Sequence, residues 1–165
     1  MSGEAALFLQ RIRVAVALFI AGLVLSGLTA FPLRRELDLL ATWLGADASA
    51  PDGNLRGWIA LVQRALAITG RDFPFLAYGT DWLAFGHLVI ALFFVGAWRD
   101  PVRNIWVLQA GLIACAGVIP LALICGAIRG IPIYWRLIDC SFGVFGAIPL
   151  ALTLQWTRRL QKMMQ

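Results

Sequence analysis

The sequence predicts an all-α membrane protein: four transmembrane helices in a bundle, with an extra interfacial amphipathic helix between spans one and two. Three observations carry this reading. Of 165 residues, 61% are apolar and 14% charged, whereas an average soluble domain has ~45–50% and ~25%. The mean hydropathy is +0.81. A soluble chain this short has no interior large enough for so much apolar surface, so hydrocarbon is its natural solvent. Four stretches reach the ~20 apolar residues that a spanning helix needs, and the basic residues lie scattered at the segment ends.

Residues 1–165 read as a single membrane domain. Span one, 14–33, "VAVALFIAGLVLSGLTAFPL", follows Arg11 and Arg13. Its apolar run exceeds the ~7–15 residues of a signal-peptide core and "LTA" is a poor cleavage site, so it reads as an uncleaved span. Residues 34–78 are extramembrane or interfacial. "RRELDLLATWL" predicts a short amphipathic helix, and "GADASAPDGN" a loop of turn formers. In "LRGWIALVQRALAIT", Arg56, Ala60, Gln63, Arg64 and Ala67 form one face, with Leu55, Ile59, Val62 and Leu66 opposite. At ~1.5 Å per residue this helix is too short to span. It reads as lying in the interface, or as packed over the end of the bundle.

Spans two, three and four cover 79–98, 105–128 and 137–156. Between the first two of these, "RDPVRN" forms a loop anchor of Asp100, Arg103 and Asn104. Pro101 denies a helix its N–H, and Asp100 and Asn104 can cap the flanking ends. "RGIPIYWR" makes the next reversal, with Tyr134 and Trp135 suited to the interface. Short connections make spans two to four antiparallel neighbours. Pro120 and Pro149 are expected to bend spans three and four.

Thirteen Arg and one Lys give a net charge of +5. On a membrane protein this favours anionic lipid head groups, at ~1 kcal/mol per basic residue near the surface. Nucleic acid is not an expected partner, because the sequence has no basic stripe or aromatic-studded groove. Four spans put both termini on one side. That side carries Arg11, Arg13, Arg99, Arg103, Arg158, Arg159 and Lys162; the other carries Arg34, Arg35, Arg56, Arg64, Arg71, Arg129 and Arg136. The count ties. The shorter segments on the terminal side, and the acids of the long loop (Glu36, Asp38, Asp47, Asp52, Asp72), tip the expectation to cytoplasmic termini.

Three cysteines and one histidine contain no CxxC, CxxCH or HExxH, so no metal site is expected and no cofactor is identified. Cys125 and Cys140 stand at comparable depth across a hairpin, where a periplasmic face permits a disulfide. Buried membrane cysteines otherwise behave as small apolar residues.

Ionisable groups inside spans are costly and point to function. The candidate polar cluster is Asp81, His87, Arg129, Arg136 and Asp139. Asp81, Arg129, Arg136 and Asp139 belong to the membrane face opposite the termini, and His87 lies ~9 Å deeper than Asp81. Arg136 and Asp139 are i, i+3 and can pair. Two readings stand for the acids: capping in a first helical turn with structural pairing, or a ligand or proton role. His87 is either a packed interhelical contact or an acid/base. Gly143, Ala147 and Ala151, and likewise Gly22, Ser26 and Ala30, form small-residue stripes for another span or a second copy.

The wording "YGTDWLAFGH…RDPVRNIW…RGIPIYWRLIDCSFGVFGAIPL", over Tyr78 to Leu150, resembles a group of small bacterial inner-membrane proteins to which no activity is attached. The resemblance implies the bacterial inner membrane and nothing about chemistry. Two functions remain open. One is a non-enzymatic subunit or small-ligand or lipid-binding protein, with a homo-oligomer or another membrane protein as partner. The other is a membrane enzyme or proton-coupled carrier using His87 with Asp81, Arg136 and Asp139. A water- or lipid-open pocket at His87 and Asp81 favours the second; packed, satisfied side chains favour the first.

Overall fold

Apolar runs become helices because, in hydrocarbon, every backbone N–H and C=O must find its partner within the segment. In the computed structural model four helical stretches are long and apolar enough to cross a membrane: Gly3–Ala30, Pro74–Arg99, Ile105–Ile128 and Ile133–Met163. Only 11–22% of each apolar window is buried by protein, so lipid must cover the rest, and the chain is a multi-pass membrane protein. The structure describes residues 3–47, 49–51 and 53–164. Asp52, counted above among the loop acids, lies outside the described residues.

The elements in order are α1 (Gly3–Ala30), α2 (Leu33–Leu44), α3 (Leu55–Asp72), a 3₁₀ turn (Pro74–Leu76), α4 (Ala77–Arg99), α5 (Ile105–Pro120), a π-helical turn (Leu121–Cys125), α6 (Gly126–Ile128) and α7 (Ile133–Met163). The ends depart from the expected spans for local reasons. α1 stops at Ala30 rather than Leu33, because Pro32 has no N–H to donate and restricts Phe31 before it. It begins eleven residues before Val14, since Arg11 and Arg13 are exposed and their long stems let the charge reach the head groups. α7 overruns Trp156 and takes in Arg158, Arg159 and Lys162.

The chain divides into two compact units, Met1–Gly22 with Ile90–Gln165, and Leu23–Val89. In the first, α5 against α7 is the main seam. With lipid as apolar as leucine, helices adhere by close packing, which small residues permit. A β-carbon built on Gly143 would lie 2.5 Å from the Cys115 carbonyl oxygen, and one on Gly146 would lie 3.0 Å from Cys115 Sγ. Ile12 and Val16 of α1, Phe94 and Ala97 of α4, Leu108 of α5, and Leu150, Thr153 and Thr157 of α7 are buried in this unit. The rings of Phe19 and Phe94 meet at 4.7 Å.

The two prolines behave differently. Pro120 cannot donate, and the helix widens into the π-turn directly after it. Pro149 leaves α7 uninterrupted, and Thr153 Oγ1 donates to the Pro149 carbonyl at 2.7 Å. Between α4 and α5, Asp100 Oδ1 accepts the Arg103 N–H at 3.0 Å. The Asn104 amide donates to the carbonyls of Gly96 and Asp100 at 3.1 and 2.9 Å. Arg103 takes part in this turn through its backbone N–H. Asn104 closes the C-terminal carbonyls of α4 rather than capping α5 with its side chain.

In the second unit, α2 and α3 form a helical hairpin. Gly45 adopts φ +62 behind α2 and Ala46 N–H donates to the Ala41 carbonyl at 2.8 Å, the left-handed stop that glycine permits. Asn54 Oδ1 accepts the Gly57 N–H at 2.8 Å and starts α3. Asp38 Oδ1 accepts from Gln63 Nε2 at 2.7 Å, with Ala41, Ile59 and Ala60 buried. Gln63, on the face predicted to carry Arg56, Ala60, Arg64 and Ala67, therefore meets the partner helix.

Candidate functional site

Within Leu23–Val89, the end of α1 packs on the first half of α4. A β-carbon on Gly27 would meet the Ala84 carbonyl oxygen at 2.9 Å and His87 Cβ at 3.2 Å. The close approach uses Gly27 and not the expected Gly22–Ser26–Ala30 stripe, of which Gly22 and Ser26 are exposed. The residues following α1 are thereby brought beside the start of α4.

Asp81 is the fifth residue of α4, which the 3₁₀ turn precedes, and Asp139 is the seventh of α7. Neither stands in a first turn, where free N–H groups lie, so the capping reading fails for both. Asp81 is half-buried in an open recess of about 270 Å³ lined by Phe31, Tyr78, Asp81, Trp82 and Phe85. Tyr78, Trp82 and Phe85 recur at i, i+4, i+7 and so share a helix face. Their rings meet edge to face at 5.9 Å (Tyr78–Trp82) and 6.1 Å (Trp82–Phe85). Among the described residues the Asp81 carboxylate has no hydrogen bond or ion pair. A carboxylate facing aromatic walls is complementary to a cation: the acid supplies charge and acceptor lone pairs, and the rings supply negative faces that attract ammonium groups within about 6 Å.

Phe31 is also a wall of a second open recess, of about 450 Å³, with Pro32, Arg34 and Arg35. The Arg34 guanidinium reaches along the hairpin to Gly70. Among the described residues neither arginine is ion-paired, and the salt bridge found there joins Arg71 to Asp72. Pro32 provides α2 with no side-chain cap, so the first-turn N–H groups of α2 add positive potential near the two arginines.

His87 does not line either recess. Its Nδ1 lies 2.8 Å from the Leu83 carbonyl oxygen. A carbonyl only accepts, so Nδ1 carries the hydrogen. Its Cβ stands at the Gly27 crossing, and its ring is hydrogen-bonded within its own helix.

The remaining cluster residues belong to the other unit. Arg129 is exposed. Arg136 turns away from Asp139: its Nη1 donates to the Leu123 carbonyl at 3.1 Å, inside the π-turn, while Nε has no partner. Its stem lies against Gly126, where a β-carbon would approach Cδ to 2.6 Å. Arg136 thus ties down a carbonyl in the widened turn. Asp139 is half-buried without a hydrogen-bond or ion-pair partner among the described residues. Cys115, Cys125 and Cys140 are free thiols, and Cys140 points toward the Ile119 carbonyl at 3.9 Å.

Sequence reasoning named Asp81 but missed its aromatic neighbours. The i, i+4, i+7 spacing of Tyr78, Trp82 and Phe85 was a readable signal. Phe31, Arg34 and Arg35 were not, since only the α1–α4 crossing brings them near. Comparison of the chain with protein-family models, curated proteins and solved structures returns no match.

Proposed function

We propose that this chain is a non-enzymatic protein of the bacterial inner membrane, with both termini cytoplasmic, that binds a small amphiphile or lipid at the Asp81 recess. The observation that carries this is an unpaired, half-buried carboxylate walled by four aromatic side chains at the end of a spanning helix. Burying part of a charge without a partner costs free energy, and a bound head group with donors offsets that cost. The position of His87 outside the recess, with its Nδ1 on the Leu83 carbonyl, favours binding over acid/base chemistry. The resemblance borne by "YGTDWLAFGH" and "RGIPIYWR" supports the bacterial inner membrane. The basic residues around the spans draw anionic lipid to the surface, and the exposed Gly22–Ser26 stripe suits a second copy or another membrane protein.

The test is retention of amphiphile through purification. Protein extracted in mild detergent is analysed by native mass spectrometry beside Trp82→Ala and Phe31→Ala. Wild type is expected to carry a stoichiometric lipid-sized adduct that both variants lose while keeping their helical circular dichroism. Equal adduct on all three proteins contradicts the recess as the binding site.

A further inference from the structure

We infer that the ligand is a zwitterionic phospholipid whose head carries a primary ammonium, as in phosphatidylethanolamine. The inference rests on the amphiphile reading above and adds the chemistry of the head group. Two recesses of opposite charge share one wall, Phe31. One presents Arg34 and Arg35; the other presents Asp81 among aromatic rings. A phosphate is the natural partner of the arginines, which donate to its oxygens in a planar fork. Asp81 repels a second negative charge and attracts a positive one. A head group with phosphate and ammonium a few bonds apart satisfies both recesses across Phe31, and an anionic head satisfies only the first.

Asp81 also distinguishes kinds of ammonium. Aromatic walls attract any organic cation. An unpaired carboxylate requires hydrogen-bond donors, which a primary ammonium has and a quaternary one lacks. The tails lie where the helix is most apolar. Beyond Trp82, α4 continues as "LAFGHLV", with Leu83 exposed.

The experiment loads delipidated full-length protein with phosphatidylethanolamine, phosphatidylcholine or phosphatidylglycerol of matched tails. Retained lipid is counted by native mass spectrometry for wild type, Asp81→Asn and the double variant Arg34→Gln/Arg35→Gln. Wild type should retain phosphatidylethanolamine about tenfold better than the other two, on the scale of one charge-assisted hydrogen bond. Asp81→Asn should bind all three alike, and the arginine variant should bind none well. Equal retention of phosphatidylglycerol and phosphatidylethanolamine by wild type overturns the zwitterion inference and leaves the amphiphile reading standing. Equal retention of phosphatidylcholine overturns the primary-ammonium part. Retention of none of the three by wild type overturns this inference, while a native adduct lost in Trp82→Ala still upholds the recess. The wild-type comparison needs no variant, so a misfolded substitution leaves the test intact.

Discussion

Replacing Gly143 by alanine tests how the first unit holds together. Optimal contacts between non-bonded heavy atoms lie about 3.5 Å apart. The new methyl would sit 2.5 Å from the Cys115 carbonyl oxygen and 3.3 Å from Val118 Cβ, an encroachment of about 1 Å. The obstacle is backbone, held by its own helix, so no rotamer change relieves it. α5 and α7 must separate or rotate, and overpacking of this kind costs ~1–3 kcal/mol. A backbone obstacle places Gly143→Ala at about 2–3 kcal/mol, roughly a 30- to 150-fold change in the folding equilibrium. Two controls calibrate it. At Gly111 the crowding atoms are the ends of Phe94 and Leu150 side chains, at 2.7 and 2.9 Å; these can shift, so Gly111→Ala should cost about 1 kcal/mol. Gly22 has no such neighbour within 4 Å. There alanine should be neutral or stabilise by about 0.5–1 kcal/mol through lower chain entropy. The assay is reversible unfolding in mixed micelles of mild detergent and dodecyl sulfate, followed by circular dichroism. If Gly143→Ala unfolds at the same midpoint as Gly22→Ala, the α5–α7 packing argued here is wrong.

Further outcomes follow from other contacts. Asn104→Ala removes two hydrogen bonds to carbonyls behind α4 and should cost about 1–2 kcal/mol, read in the same titration; no shift would mean water replaces the amide fully. Trp43 and Leu39 are 82% and 72% exposed on one face of α2, as befits a helix at the lipid interface. In a variant keeping Trp43 as its one tryptophan, lipids brominated near the head group should quench it, and quenching by aqueous acrylamide alone would place α2 in water. Hydrogen bonds from the Ser49 hydroxyl and N–H hold the Asp47 carboxyl below its ordinary value. A depressed folded value stabilises above the unfolded value, and the contribution is lost as pH falls through the folded one. Ser49→Ala should raise the Asp47 midpoint in an NMR titration, and an unchanged midpoint would remove the Ser49 hydroxyl as the cause.

Much of the fold was legible because hydrocarbon imposes a length and composition that the chain displays openly. The four apolar runs predict four spans, and Pro101, Gly130 and Pro132 predict their turns. Helix starts were less legible. Asp81 and Asp139 look like caps only if the helices begin where the apolar runs do. In fact Ala77 and Ile133 begin them earlier, which moves both acids past the free N–H groups. Small-residue spacing nominates Gly22–Ser26–Ala30, but the crossing falls on Gly27, about 140° around the helix from Gly22. Which face meets α4 is a property of both helices and is not written in one. Arg136 seemed made for Asp139 at i, i+3, yet the π-turn after Pro120 offers a carbonyl that a regular α-helix does not. The candidate site was half legible for the same reason. Asp81 stands out as a charge in a span, whereas Arg34 and Arg35 become relevant only through the shared wall of Phe31.

The central claim is that a lipid head sits against Asp81. Photo-crosslinking in proteoliposomes tests it most directly, using a phosphatidylethanolamine with a photoreactive group beside the phosphate, followed by peptide mapping. Crosslinks concentrated in residues 31–35 and 78–85, and competed by unlabelled phosphatidylethanolamine, are the predicted result. Labelling spread evenly over the lipid-facing helices, without enrichment at those two segments, would contradict it.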